Sequence, residues 1–119
     1  MKVAIVKYNA GNILSVSYAL ERLGIIPVVT DHIEELQKAD RVIFPGVGEA
    51  STAMQYLKER KLDIVIKNLE QPVLGICLGM QLLCSYSEEN DTTCLSVFDE
   101  RVVSFLPNGT DKIPQVGWN

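Results

Sequence analysis

With 119 residues, 47% of them hydrophobic and 22% charged, the chain has the material of one folded domain with a single core. A formal net charge of -4 argues against nucleic acid or an anionic membrane surface as the main partner. No stretch approaches the roughly 18 apolar residues of a membrane span, and the amino terminus M-K-V-A-I-V-K-Y-N lacks a signal-peptide layout, so the expected location is cytoplasmic. Cys77, Cys84 and Cys94 are odd in number and fit neither a disulfide scaffold nor a zinc site. The single histidine, His32, is far from them in sequence, so the expectation is no metal centre and no cofactor.

In chain order, Lys2 to Val6 reads as an opening strand, followed by the loop Tyr8-Asn9-Ala10-Gly11-Asn12. Ile13, Val16, Leu20 and Leu23 then recur at helical spacing, and Gly24 supplies the stop. Ile25 to Thr30 is a second strand, with Pro27 suggesting an edge position. Asp31 to Ala39 is a short polar helix in which His32 is a surface residue. Arg41 to Phe44 is a third strand that delivers the chain into Pro45-Gly46-Val47-Gly48. The glycines around Val47 free the backbone to aim an N–H group into a site, one half of an oxyanion hole, although P-G-V-G by itself is also an ordinary turn.

Ser51 to Arg60 reads as a helix with Met54 and Leu57 inward, and Leu62, Val65, Ile66 and Leu69 form a further apolar face. Val73, Leu74 and Ile76 are a short apolar run behind Pro72, as for a strand buried on both faces of a parallel sheet. After Cys77 the spacing of Leu78, Gln81, Leu82 and Ser85 turns helical, which sets Cys84 two turns down that helix in a packing role. Gly75-Ile76-Cys77-Leu78-Gly79 is the cysteine counterpart of the G-x-S-x-G nucleophile elbow. A helix beginning beneath Cys77 offers partial positive charge and free N–H groups to a nucleophile and to an oxyanion. The bland alternative is a structural cysteine in an ordinary strand-to-helix turn.

Strands alternating with helices in this rhythm give an α/β fold. It is expected to be flavodoxin-like, with a mostly parallel sheet, helices on both faces and a site at the carboxyl ends of the strands. Both the P-G-V-G loop and the Cys77 elbow leave strands at that edge. Beyond the elbow, Ser87-Glu88-Glu89-Asn90-Asp91 is an acidic loop, and Leu95 to Phe98 and Arg101 to Phe105 read as two short antiparallel strands.

Four motifs in order, Y-x-x-G-N near the start, P-G-V-G, G-I-C-L-G-M-Q and P-Q-V-G-W-N at the end, resemble the class I glutamine amidotransferases over the full length of the chain. Within that family the chain is similar to the glutaminase subunits of imidazole glycerol phosphate synthase, of histidine biosynthesis. The resemblance implies a single domain over 1–119 corresponding to the N-terminal part of a family member. It implies that Cys77 attacks glutamine, that Gly46, Val47 and Leu78 line the oxyanion hole, and that Gln81 and Glu89 hold the substrate's α-amino end. Asn12 and Trp118 would face the partner, a (β/α)8-barrel cyclase subunit that receives the ammonia.

One departure is serious. The family carries a catalytic His and Glu two residues apart after the W-N motif, and this sequence stops at Asn119. His32 precedes the elbow and does not stand in for them, so the expectation is a C-terminally truncated chain with little or no amidase turnover. Two other readings stay open at this point. One is a non-catalytic flavodoxin-like module that binds a partner; the other is a different cysteine enzyme on a similar sheet, of the peptidase or deglycase sort.

Overall fold

A computed structural model of the chain describes residues 1–110 and residue 113. Four short strands, β1 (Val3–Val6), β2 (Val28–Thr30), β3 (Arg41–Phe44) and β4 (Val73–Gly75), form a sheet in the order β2-β1-β3-β4. All of its pairings are parallel. Ala4 lies opposite Val28, Ile5 opposite Ile43, and Phe44 opposite Gly75. Because all these strands point the same way, the loops that follow them emerge at one edge. Pro27 stands just ahead of β2, which starts at Val28 rather than at the expected Ile25 and runs along the outside of the sheet. An edge strand tolerates a neighbouring residue that cannot donate to a ladder.

The two faces of the sheet are covered unequally. Ala4, Val6, Val42 and Phe44 face a core built with α2 (Ile33–Lys38), α3 (Ala50–Glu59), α4 (Leu62–Lys67) and α5 (Leu78–Leu82), where Leu36, Met54, Leu57, Leu62 and Leu82 are buried. Val3, Ile5 and Ile43 on the other face meet α1 (Ile13–Arg22), through the half-buried Ile13, Val16 and Leu20. The expected helix stop is present, since Gly24 takes φ +81°. Leu23, expected on the inner face, is instead the exposed C-cap residue of α1.

Two helix ends are tied by side chains in ways that fix the sheet edge. Glu49 caps α3, its carboxylate accepting from the Ser51 N–H at 2.8 Å and the Thr52 N–H at 3.0 Å. Gln71 reaches back to the C-terminal end of α2, donating to the Leu36 carbonyl at 2.7 Å and to that of Ala39 at 3.1 Å. The second of these locks the approach to β4 against the elements before β3.

Several expectations are corrected here. Leu74 is 58% exposed, so β4 is not buried on both faces. It is the outer strand of the order above, and Leu74 shares a face with its register partner Ile43, where α1 is the only covering helix among the described residues. The helix after Cys77 is short: α5 ends at Leu82, so Cys84 lies beyond it, half-buried, with its thiol toward the Met80 carbonyl at 3.7 Å. The region after the elbow is not a pair of antiparallel strands over Leu95–Phe98 and Arg101–Phe105. Instead β5 (Tyr86–Ser87) pairs antiparallel with β6 (Thr92–Thr93) and parallel with β7 (Arg101–Val102), while residues 95–98 are not strand. The acidic segment makes the β5–β6 turn, where Asn90 and Asp91 both adopt positive φ.

Candidate active site

The register of β3 with β4 places the P-G-V-G loop and the cysteine turn side by side. Phe44 and Gly75 are partners, and the ladder continues past them: the Ile76 N–H donates to the Phe44 carbonyl at 3.0 Å. Cys77 then takes φ 54° and ψ -116° and is exposed, at the N-cap of α5. That conformation is sparsely populated for a residue with a side chain and costs on the order of 1–3 kcal/mol, strain typical of active sites. It turns the chain sharply from strand into helix and lifts the sulfur out of the sheet edge, as an elbow requires.

The flanking glycines are required by close approach. A Cβ at Gly79 would collide with the Phe44 carbonyl oxygen and lie 2.6 Å from the Phe44 carbonyl carbon. One at Gly75 would meet the Met80 Cα at 2.8 Å. Both obstacles are backbone, so no rotamer change relieves them. The elbow is thereby pressed onto the start of the P-G-V-G loop.

The residues expected to line an oxyanion hole are in contact with each other. The Leu78 N–H donates to the Gly46 carbonyl at 3.1 Å, so this amide is satisfied inside the protein. Gly46 is buried, Val47 is 56% exposed, and the Val47 carbonyl accepts from the Gly11 N–H at 3.1 Å. The Y-x-x-G-N loop is thus joined to the P-G-V-G loop. Asn12 takes φ 81° at the N-cap of α1, exposed, with no side-chain hydrogen bond to the helix. Trp118 lies outside the described residues.

Gln81 and Glu89 line one cavity of about 360 Å³, together with Ser87, Val102, Ser104 and Phe105. Gln81 comes from α5, one turn below Cys77, and its N–H donates to the Cys77 carbonyl at 3.0 Å. Glu89 comes from the β5–β6 turn and uses Oε2 to accept the Ala50 N–H at 2.9 Å, at the start of α3. Asn90 bridges the same region, donating to Glu49 at 3.1 Å. The hydrogen bonds from Ser51 and Thr52 hold the Glu49 carboxyl well below the usual carboxylate range, down to about 2.

Tyr8 went unremarked in the sequence, where only its place in a motif could be seen. Its ring is buried beside Phe44, centroids 5.1 Å apart, and its hydroxyl donates to the Pro45 carbonyl at 2.5 Å. Burial pushes the Tyr8 phenol far up, and charge at Cys77 pushes it in the same direction. Burial also raises the Cys84 and Cys94 thiols, with Glu100 adding to the first and Cys84 to the second. His32 is exposed at the N-cap of α2, its N–H on the Thr30 hydroxyl at 3.0 Å, in a shallow pocket with Glu35 and Arg60 that includes no residue of the elbow.

Residues 2–109 match the family model for the CobB/CobQ-like glutamine amidotransferase domain. The chain belongs to that family. As a glutamine amidotransferase chain it is 62% identical over 120 residues to the protein named imidazole glycerol phosphate synthase subunit HisH of Bacteroides thetaiotaomicron, and all of it is covered. It is 46% identical over 119 residues to the protein of the same name from Idiomarina loihiensis. The amidotransferase chain spans 61% of the first relative's length and 60% of the second's. A solved structure described as a glutamine amidotransferase superposes with a TM-score of 0.73 at 22% identity, over 87% of this chain and 57% of that one, which shows the α/β fold. No described helix is long and apolar enough to cross a membrane.

Proposed function

We propose that this amidotransferase chain is the glutamine-binding part of an imidazole glycerol phosphate synthase, with Cys77 the nucleophile that opens the glutamine side-chain amide. The observation that carries the reading is the exposed, strained Cys77 at the turn between β4 and α5, with the Leu78 N–H and the Gly46–Val47 peptide beside it. The identity of 62% to a protein named as such a synthase subunit supports this reading, with glutamine as the proposed substrate and histidine biosynthesis as the proposed pathway.

In this reading the Cys77 sulfur adds to the amide carbon of glutamine, and the carbonyl oxygen becomes an oxyanion. The carbon–nitrogen bond then breaks, ammonia leaves with an added proton, and water hydrolyses the γ-glutamyl thioester to glutamate. Leu78 and Val47 would donate their N–H groups to the oxyanion. The Leu78 N–H is instead on the Gly46 carbonyl, so that carbonyl holds the oxyanion's place and the Gly46–Val47 peptide must turn over to open the hole. Gln81 and Glu89 share the adjoining cavity, where a carboxylate suits the ammonium of a free amino acid. Ammonia would pass to a (β/α)8-barrel cyclase partner seated over Asn12 and Trp118, in the cytoplasm.

Acyl transfer of this kind needs a base for the thiol proton and the leaving ammonia. The single histidine, His32, stands exposed at the α2 N-cap in a pocket that holds no residue of the elbow, so we infer that no histidine of these 119 residues is the base and that these residues by themselves turn glutamine over very slowly. The test is therefore nucleophile labelling rather than turnover. A glutamine-analogue alkylator is incubated with the chain and the adduct mapped by mass spectrometry. Modification of Cys77, lost in Cys77→Ser, is expected; modification elsewhere, or none, would remove the reading.

A further inference from the structure

The Gly46–Val47 peptide is bracketed. On one side the Pro45 carbonyl accepts the Tyr8 hydroxyl at 2.5 Å; on the other the Val47 carbonyl accepts the Gly11 N–H at 3.1 Å. Both donors come from the loop after β1, three residues apart. The peptide between them carries the Gly46 carbonyl that occupies Leu78. Peptide planarity means that fixing the Pro45 oxygen also fixes the Gly46 nitrogen, and the Pro45 ring fixes its own φ. What remains free is ψ of Gly46 and φ of Val47, the two torsions about which the Gly46–Val47 peptide turns.

We propose that Tyr8 is a positioning residue for the oxyanion peptide: its hydroxyl anchors the Pro45 carbonyl, so that the Gly46–Val47 peptide turns alone and Leu78 is held in register with it. This rests on the glutaminase reading for its purpose, and on the bracket for its mechanics. Tyr8 is itself held, 5% exposed and packed on Phe44. Gly46 is moulded to it, since a Cβ there would collide with the Tyr8 hydroxyl and lie 3.0 Å from the Ala10 Cβ. Because the phenol is pushed far up by its burial, it remains a donor over the whole neutral range. The competing reading is a core tyrosine whose hydroxyl merely finds a partner, as buried tyrosines do.

Tyr8→Phe separates the two, since it keeps the ring on Phe44 and removes only the anchor. Native-state amide exchange is read at Leu78 and, as a reference for overall stability, at Ile5 in the centre of the sheet. The anchor role predicts that Leu78 exchange rises about tenfold relative to Ile5, the size expected from freeing one buried hydrogen bond. Labelling of Cys77 by the glutamine analogue should fall by about the same factor, while alkylation by iodoacetamide, which needs no oxyanion hole, stays within about twofold. Leu78 exchange unchanged, or rising only in step with Ile5, would overturn the proposal. A parent chain whose Cys77 ignores the glutamine analogue would instead defeat the glutaminase reading, and the exchange ratio would still decide the anchor.

Discussion

Replacing Gly79 by alanine is the sharpest way to ask whether the elbow is pressed onto the P-G-V-G loop. In the interior of an exposed helix this change is stabilising by up to about 1 kcal/mol, because alanine loses less backbone freedom. Here the new Cβ would meet the Phe44 carbonyl oxygen, with the Phe44 carbonyl carbon at 2.6 Å and the Pro45 oxygen at 3.1 Å. All three obstacles are backbone, held by the β3–β4 ladder, so α5 must move away as a unit. Forcing a methyl into packed structure costs about 1–3 kcal/mol, and contact this close with backbone belongs at the upper end. Set against the helical gain, the net loss is about 2 kcal/mol. That corresponds to a fall of roughly 8–12 °C in Tm for a domain of this size. Gly11→Ala serves as the control, since its nearest obstacle is the Val47 oxygen at 3.9 Å; its Tm should move by less than about 2 °C. Thermal unfolding followed by circular dichroism reads both. A Gly79→Ala chain as stable as the parent would mean that Cys77 does not sit against β3.

Two further outcomes follow from the electrostatics. The Glu49 carboxyl is held at about 2, below its unfolded value near 4.3, so its capping bonds stabilise the fold fully above the unfolded value and are lost as pH falls toward 2. The Tm gap between the parent and Glu49→Gln should therefore be widest above about pH 5 and close progressively below it; a gap that does not change with pH would contradict the assignment. Among the thiols, Cys77 is exposed, whereas Cys94 is buried and burial raises both Cys84 and Cys94. Iodoacetamide at neutral pH should modify Cys77 at least about tenfold faster than either. Equal rates at all three would mean that the elbow is not presented to solvent.

The elements that sequence disclosed are those whose cause is local. Arg41 to Phe44 is a strand because an apolar run is closed by a proline, and Val73 onward changes period at Cys77 because the backbone does. The G-I-C-L-G spacing was legible as an elbow, although not what its glycines approach; only the register of Phe44 with Gly75 reveals that Gly79 lies against the Phe44 carbonyl. Residues whose roles depend on distant chain were harder. Tyr8 meets Pro45 across 37 positions, and Glu89 reaches Ala50 across 39, and neither contact has a periodic signature. The exposure of Leu74 follows from strand order, which an apolar run does not encode. The short pairings of β5, β6 and β7 escaped for a related reason. Two-residue strands are set by the turns between them, here with Asn90 and Asp91 at positive φ, rather than by alternation.

In the proposed reading, Cys77 faces a site shaped for glutamine. Labelling of Cys77 by iodoacetamide should be slowed by added glutamine, saturating with concentration, and left unchanged by asparagine, whose amide stops one methylene short of the sulfur when its α-amino group is held at Glu89. Equal protection by both amino acids, or by neither, would contradict it.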